Sequence, residues 1–106
     1  MLDKVKILGT EYRIIIDNEM HRTDRDGATK CYSHEIQLRP DTDMLDDEAT
    51  DYEKKLRAME TARHELFHAF FRESGLDDYC QNEQLVDWLA IQSPKIFKVF
   101  QKLDLL

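Results

Sequence analysis

No apolar run in this sequence approaches the length of a membrane span, which bilayer thickness sets at about 20 residues for a helix. The opening stretch, MLDKVKILGTEYRIII, lacks the charged, then apolar, then small-residue order of a signal peptide. Both absences predict a protein that stays in the cytoplasm. A surplus of basic residues is missing too. The formal net charge is -7, which argues against non-specific binding of nucleic acid or anionic membrane, since either needs a basic face. Cysteine is scarce: Cys31 and Cys80 stand far apart and form no close-spaced metal pair. Two free, partly buried thiols are expected in a reducing compartment. What is present is a globular composition, with 42% hydrophobic and 35% charged residues and too many aromatics for a disordered chain. A chain of 106 residues holds one modest core but not two. Residues 1–106 are therefore expected to be a single domain.

The first third reads as β-rich. KVKILGTEYRIIID is dense in β-branched and aromatic residues, and Gly9 with Thr10 breaks it into two short strands. NEMHRTDRDGA is polar and reads as a loop. TKCYSHEIQLR predicts a further strand pair, turning near Ser33 and His34, with Ile36 and Leu38 alternating inward. Pro40 ends that strand because it has no N–H for a ladder. DTDMLDDEATD is an acidic connector whose carboxylates suit the N-terminus of a following helix.

From about Asp51 to Ser74 the pattern turns helical, and Gly75 is the natural C-terminal cap. On a wheel of roughly 100° per residue, Leu56, Met59, Ala62, Leu66, Phe67, Phe70 and Phe71 share one arc. His64 and His68 lie together on its edge and Glu65 lies beyond them, at the border between a packed interior and a cleft. Histidines four apart on a helix project from one face, close enough to bind one zinc ion at roughly 2.0–2.1 Å each. The glutamate between them is turned beside the metal, where it can take a proton from metal-bound water. This is the H-E-x-x-H pattern, here HELFH.

A catalytic zinc takes three protein ligands and keeps a fourth position for water, so a third donor is required. A histidine further along the same helix does not supply it: Ser74 stands at that position, and Phe71 replaces the glycine that would precede it. CQNEQLVDWLAIQ instead opens a second helix, with Glu83 near its start and Asp87 on the same face. Glu83 would be the third ligand. Asp87 would accept the outer ring N–H of a metal-bound histidine and increase its basicity. Asp77 and Asp78 are rival third ligands, and Glu83 with Asp87 would also suit an ordinary solvated helix start. His21 and His34 read as surface residues, and Leu85, Trp88, Leu89 and Ile91 as core. Arg63 falls within the apolar arc, either pairing with a carboxylate or extending its head to water.

HELFHAFFRESGL followed by NEQLVDWLAIQSPKIF resembles the gluzincin metallopeptidases, in which H-E-x-x-H is followed by a glutamate ligand on the next helix. NEQLVD is similar to the asparagine-glutamate-x-x-x-aspartate segment of thermolysin-like enzymes. The short chain, opening VKILGTEYRI, resembles the small phage- and prophage-encoded H-E-x-x-H proteins akin to minigluzincins. The resemblance implies zinc held by His64, His68 and Glu83, Glu65 as general base, Asp87 as the partner behind a ligand, and a peptide or protein substrate in a bacterial host's cytoplasm. Larger gluzincins stabilise the oxyanion with a tyrosine or histidine from a further domain, which has no counterpart in this sequence. Tyr79 is the nearest candidate for that role.

The expected fold is α+β: a small antiparallel sheet packed against a long H-E-x-x-H helix, a shorter helix carrying Glu83, and a C-terminal helix from about Pro94. Ser93 and Pro94 suit the start of that last helix, whose Ile96, Phe97, Phe100 and Leu103 would pack on the core. The expected activity is zinc-dependent peptide hydrolysis, with HEIQLR as an edge strand aligning an extended substrate. The competing expectation is a zinc-stabilised phage accessory or regulatory protein that binds a partner without hydrolysis. A metal-free helical adaptor is a third.

Overall fold

A computed structural model describes residues 3–106. Strands β1 (Lys4–Ile7) and β2 (Thr10–Ile16) form a hairpin, with Lys4 opposite Arg13 and Ile7 opposite Thr10. Leu8 and Gly9 make the turn, both at positive φ (49° and 91°), as a two-residue hairpin turn of right-handed twist requires. A polar loop then leads to β3 (Gly27–Lys30), which turns back through residues 31–34 into β4 (Glu35–Leu38). The sheet order is β1-β2-β4-β3.

Two sequence expectations change here. The sheet is mixed rather than antiparallel: β2 and β4 run parallel, with Ile14 opposite Ile36 and Ile16 opposite Leu38. The chain between them, a loop followed by β3, is long enough for such a crossover. Consequently HEIQLR is not an edge. β4 lies in the interior of the sheet, and β3, which starts at Gly27 inside the stretch that reads as loop, forms the edge.

The chain then enters α1 (Asp51–Glu73) through a capping box. The Glu53 N–H donates to Thr50 Oγ1 at 3.1 Å and the Thr50 N–H to Glu53 Oε1 at 2.9 Å, satisfying donors that a helix start leaves bare. The helix ends as expected at Gly75, whose φ of +73° lets the Leu76 N–H reach back to the Phe71 carbonyl at 3.0 Å. The face carrying Thr61, Glu65 and Ala69 is buried against the sheet. Around Ala69 the core gathers Ile7, Tyr12, Ile36 and Leu38, with Val5, Ile14, Ala62 and Leu66 packed on it.

A single turn of helix, α2 (Asp77–Cys80), leads to α3 (Glu83–Lys102), which packs across α1. The Glu83-bearing helix and the C-terminal helix are therefore one, and Pro94 lies inside it rather than at its start. A proline within a helix leaves the carbonyl one turn back without its N–H partner. That carbonyl, of Ala90, accepts instead from Arg63 Nε of α1 at 2.7 Å, so the helix continues. Trp88 and Ile91, expected in the core, are about half exposed, as are Phe97 and Leu103. Val86, Ala90 and Ser93 form the buried stripe of α3 instead, because small side chains allow its close approach to α1. Among the described residues no helix is long and apolar enough to cross a membrane.

Candidate metal centre

α1 presents His64 and His68 one turn apart, and α3 brings Glu83 and Asp87 to them from its first two turns. The two histidine Nε2 atoms lie 3.0 Å apart. Glu83 spans both, with Oε2 at 3.1 Å from His64 Nε2 and Oε1 at 3.1 Å from His68 Nε2. Taking one donor atom from each of His64, His68 and Glu83, all lie within 4.8 Å of one another. Asn82 aims this end of α3: its side chain accepts from the Leu85 N–H at 3.0 Å and caps the helix, which leaves Glu83 in the first turn facing α1.

The outer ring nitrogens identify the tautomers. His64 Nδ1 lies 2.7 Å from Asp87 Oδ1, and His68 Nδ1 lies 2.6 Å from the Cys80 carbonyl. Both partners only accept, so in the neutral rings each Nδ1 carries the proton and each Nε2 presents a bare lone pair. Two lone pairs and a carboxylate thus face one another at hydrogen-bond distances with no proton of their own to share. Such a set suits a cation. The 3.0–3.1 Å separations of the two Nε2 atoms, and of each from its nearer Glu83 oxygen, are compatible with ligands gathered on one ion. The Cys80 carbonyl is available because it ends α2, where a helix leaves its last carbonyls unpaired.

Glu65 lies between these ligand-type residues and the sheet. It is only 7% exposed, and its Oε2 is 3.9 Å from His64 Nε2. Its Oε1 accepts from Thr29 Oγ1 of β3 at 2.8 Å, and the same hydroxyl lies 2.9 Å from the Glu65 carbonyl. The carboxylate is therefore held in one orientation with its second oxygen toward the histidines. Gly27 makes this approach of strand and helix feasible: a Cβ there would meet Glu65 Cγ at 2.9 Å and Thr61 Cγ2 at 3.1 Å. Neither Gly27 nor Thr29 stands out in the sequence as part of a site. The local pattern is a glycine two residues before a β-branched residue at a loop end, which by itself does not say what it approaches.

The centre opens into a cleft between β3 and the helices, with lobes of about 220 and 440 Å³. Gly27, Arg25, His64 and Glu65 border both. His68, Glu83, Cys31 and Cys80 line the larger lobe, and Asp24, Asp26, Glu60 and Asp87 the smaller. Tyr79 is not among the lining residues; its ring lies 6.1 Å from that of Phe71. Asp77 pairs with Arg72 at 3.1 Å, and Asp78 is exposed in α2, so neither joins the donor group. His21 is exposed, bonded to the Asn18 carbonyl, and His34 sits in the β3–β4 turn against the Tyr12 ring. Both cysteines are free thiols. Burial pushes the Cys80 thiol up, and its Sγ–H donates to the His68 carbonyl at 3.3 Å.

The chain matches no family model, and neither the curated proteins nor the solved structures give a match; the chemistry of the centre therefore carries the functional reading.

Proposed function

We propose that the chain is a zinc-dependent metallopeptidase of gluzincin type on a minimal zincin-like fold. The observation that carries the reading is the meeting of His64 Nε2, His68 Nε2 and Glu83 with both outer ring nitrogens already bonded. Two imidazoles with one carboxylate form a catalytic zinc ligand set, whereas structural zinc has four protein ligands. Among the described residues the donor group comprises these three side chains, and all three border the cleft. The resemblance of HELFH and NEQLVD to gluzincin segments supports the same assignment.

A zinc ion held there would supply Lewis acidity toward a carbonyl and acidify water. The chain's own groups do the rest. Asp87 and the Cys80 carbonyl hold the histidine rings in orientation, which keeps their inward nitrogens basic. Glu65, fixed by Thr29, takes a proton from water in the cleft and delivers it to the departing amine. β3 pairs with β4 along one side only, so an extended peptide can add as a further strand along its other edge, beside Glu65.

The deciding experiment is Glu65→Gln, which keeps the side chain's shape but cannot take the proton. Zinc content should be unchanged while cleavage of a broad peptide pool nearly disappears, because the lost step belongs to the transition state. A chelator should stop the wild type. Equal residual cleavage by both proteins would trace the activity to a contaminant. Zinc bound by both with no cleavage by either would replace this reading with the partner-binding accessory protein.

A further inference from the structure

The cleft is short of positive charge where hydrolysis would need it. Attack on a peptide carbonyl places negative charge on its oxygen, and enzymes meet it with a preorganised donor. A zinc ion at the centre is already flanked by Glu83, Glu65 and Asp87, which leaves little surplus charge for a further anion. The smaller lobe adds Asp24, Asp26 and Glu60. Its lining includes only two cations, Arg25 and Arg57. Arg57 is committed: its Nε and Nη2 both lie 2.9 Å from Asp26 Oδ2, and its Nη1 is 3.8 Å from Glu60.

Arg25 differs. Among the described residues no carboxylate lies within ion-pair distance of its exposed side chain. Yet it borders both lobes of the cleft, as His64 and Glu65 do. Its main chain is held at both polar groups: the N–H donates to Thr23 Oγ1 at 3.1 Å, and the carbonyl accepts from Arg39 Nη2 at 3.0 Å. The same Nη2 lies 3.1 Å from the Met20 carbonyl and 2.8 Å from that of Thr23. Asp26, the next residue, is tied to α1 through Arg57. A pinned backbone whose unpaired arginine side chain lines a carboxylate-rich cleft is an arrangement suited to oxyanion binding.

We propose that Arg25 is the residue that binds the oxyanion of the scissile carbonyl, the role for which the sequence offered Tyr79. The inference rests on the peptidase reading and names the group that the reading lacks.

The test uses the zinc-loaded full chain and two probes. A phosphinic tripeptide carries a tetrahedral anionic oxygen in place of the attacked carbonyl. A thiol-bearing dipeptide reaches the metal without such an oxygen. Arg25→Ala should keep zinc content and Tm, and should weaken phosphinic binding on the order of 10²-fold, the size of losing one oxyanion donor. Thiol binding should be unchanged, and Arg25→Lys should recover part of the loss. Where cleavage is measured, kcat should fall and KM should hold. Equal phosphinic affinity in wild type and Arg25→Ala would overturn the assignment, and so would equal weakening of both probes. Those outcomes leave the metal reading intact, whereas a wild type that holds no zinc removes both.

Discussion

Arg63 Nε donates at 2.7 Å to the carbonyl of Ala90, the one that Pro94 has no N–H to bond. An arginine in the apolar arc of α1 and a proline inside α3 look like separate faults in the sequence. Together they form one compensated contact that docks the helix bearing Glu83 against the helix bearing His64.

Removing one partner should expose that coupling. Arg63→Met keeps much of the side-chain length, deprives the Ala90 carbonyl of its donor, and should cost about 1–3 kcal/mol. In a Pro94→Ala background the helix regains its own N–H, and the same substitution should cost clearly less. Urea unfolding of the four proteins measures the coupling; strictly additive effects would show that the two residues do not share the carbonyl.

Zinc binding should follow the ligand geometry. His64→Ala, His68→Ala and Glu83→Ala should each abolish stoichiometric binding. Asp87→Asn should weaken binding by roughly 10–100-fold, since it loses a charge behind His64 but keeps an acceptor. Cys80→Ala should leave affinity nearly unchanged, because the close partner of His68 Nδ1 there is the main-chain carbonyl at 2.6 Å, with the thiol Sγ only at 3.9 Å. Competition against a chelator at near-neutral pH gives these numbers. Asp77→Ala losing the metal while Glu83→Ala holds it would show the third donor to be misassigned.

Support of Glu65 should matter to hydrolysis more than to the metal. Thr29→Val removes the hydroxyl 2.8 Å from Glu65 Oε1 at nearly constant volume, and kcat should fall on the order of 10- to 100-fold as the carboxylate loses its orientation. Gly27→Ala would place a Cβ 2.9 Å from Glu65 Cγ, forcing strand and helix apart, and should also cost about 1–3 kcal/mol of stability. Zinc content should persist in both. Loss of zinc in step with activity would mean that these residues shape the ligands rather than the base.

The far end of α1 carries a pH-dependent contact. Side chains of Thr10 and Tyr12 hydrogen-bond to Glu73 and hold its carboxyl below its ordinary 4.5, and the buried Tyr12 hydroxyl donates to it at 2.8 Å. A carboxyl lowered on folding stabilises above its unfolded pKa and loses that contribution as pH falls through the folded value. Tyr12→Phe should therefore cost about 1 kcal/mol near neutral pH, and the gap to wild type should narrow below pH 4.5. A gap that stays constant across an acid series of denaturant titrations would refute the linkage.

The sequence by itself determined what depends on local geometry. HELFH puts both histidines on one face because the helical period is set by the backbone, whatever the fold around it. The acidic stretch before Asp51 and then Gly75 mark the ends of α1 by capping chemistry confined to a few residues, although the cap itself is made by Thr50 with Glu53 rather than by a connector carboxylate. Glu83 and Asp87 share a face for the same reason as the histidines, and Ile36 and Leu38 alternate inward because a strand must. Only the tertiary structure decided what depends on distant segments meeting. It ran β4 parallel to β2 and moved the sheet edge to β3. It brought Gly27 and Thr29 onto Glu65 and offered the Cys80 carbonyl to His68. It left Trp88 and Ile91 outside the core and joined two expected helices through the Arg63–Ala90 contact. Each of these is a pairing between residues far apart in the chain, and no local propensity at either one contains the position of the other.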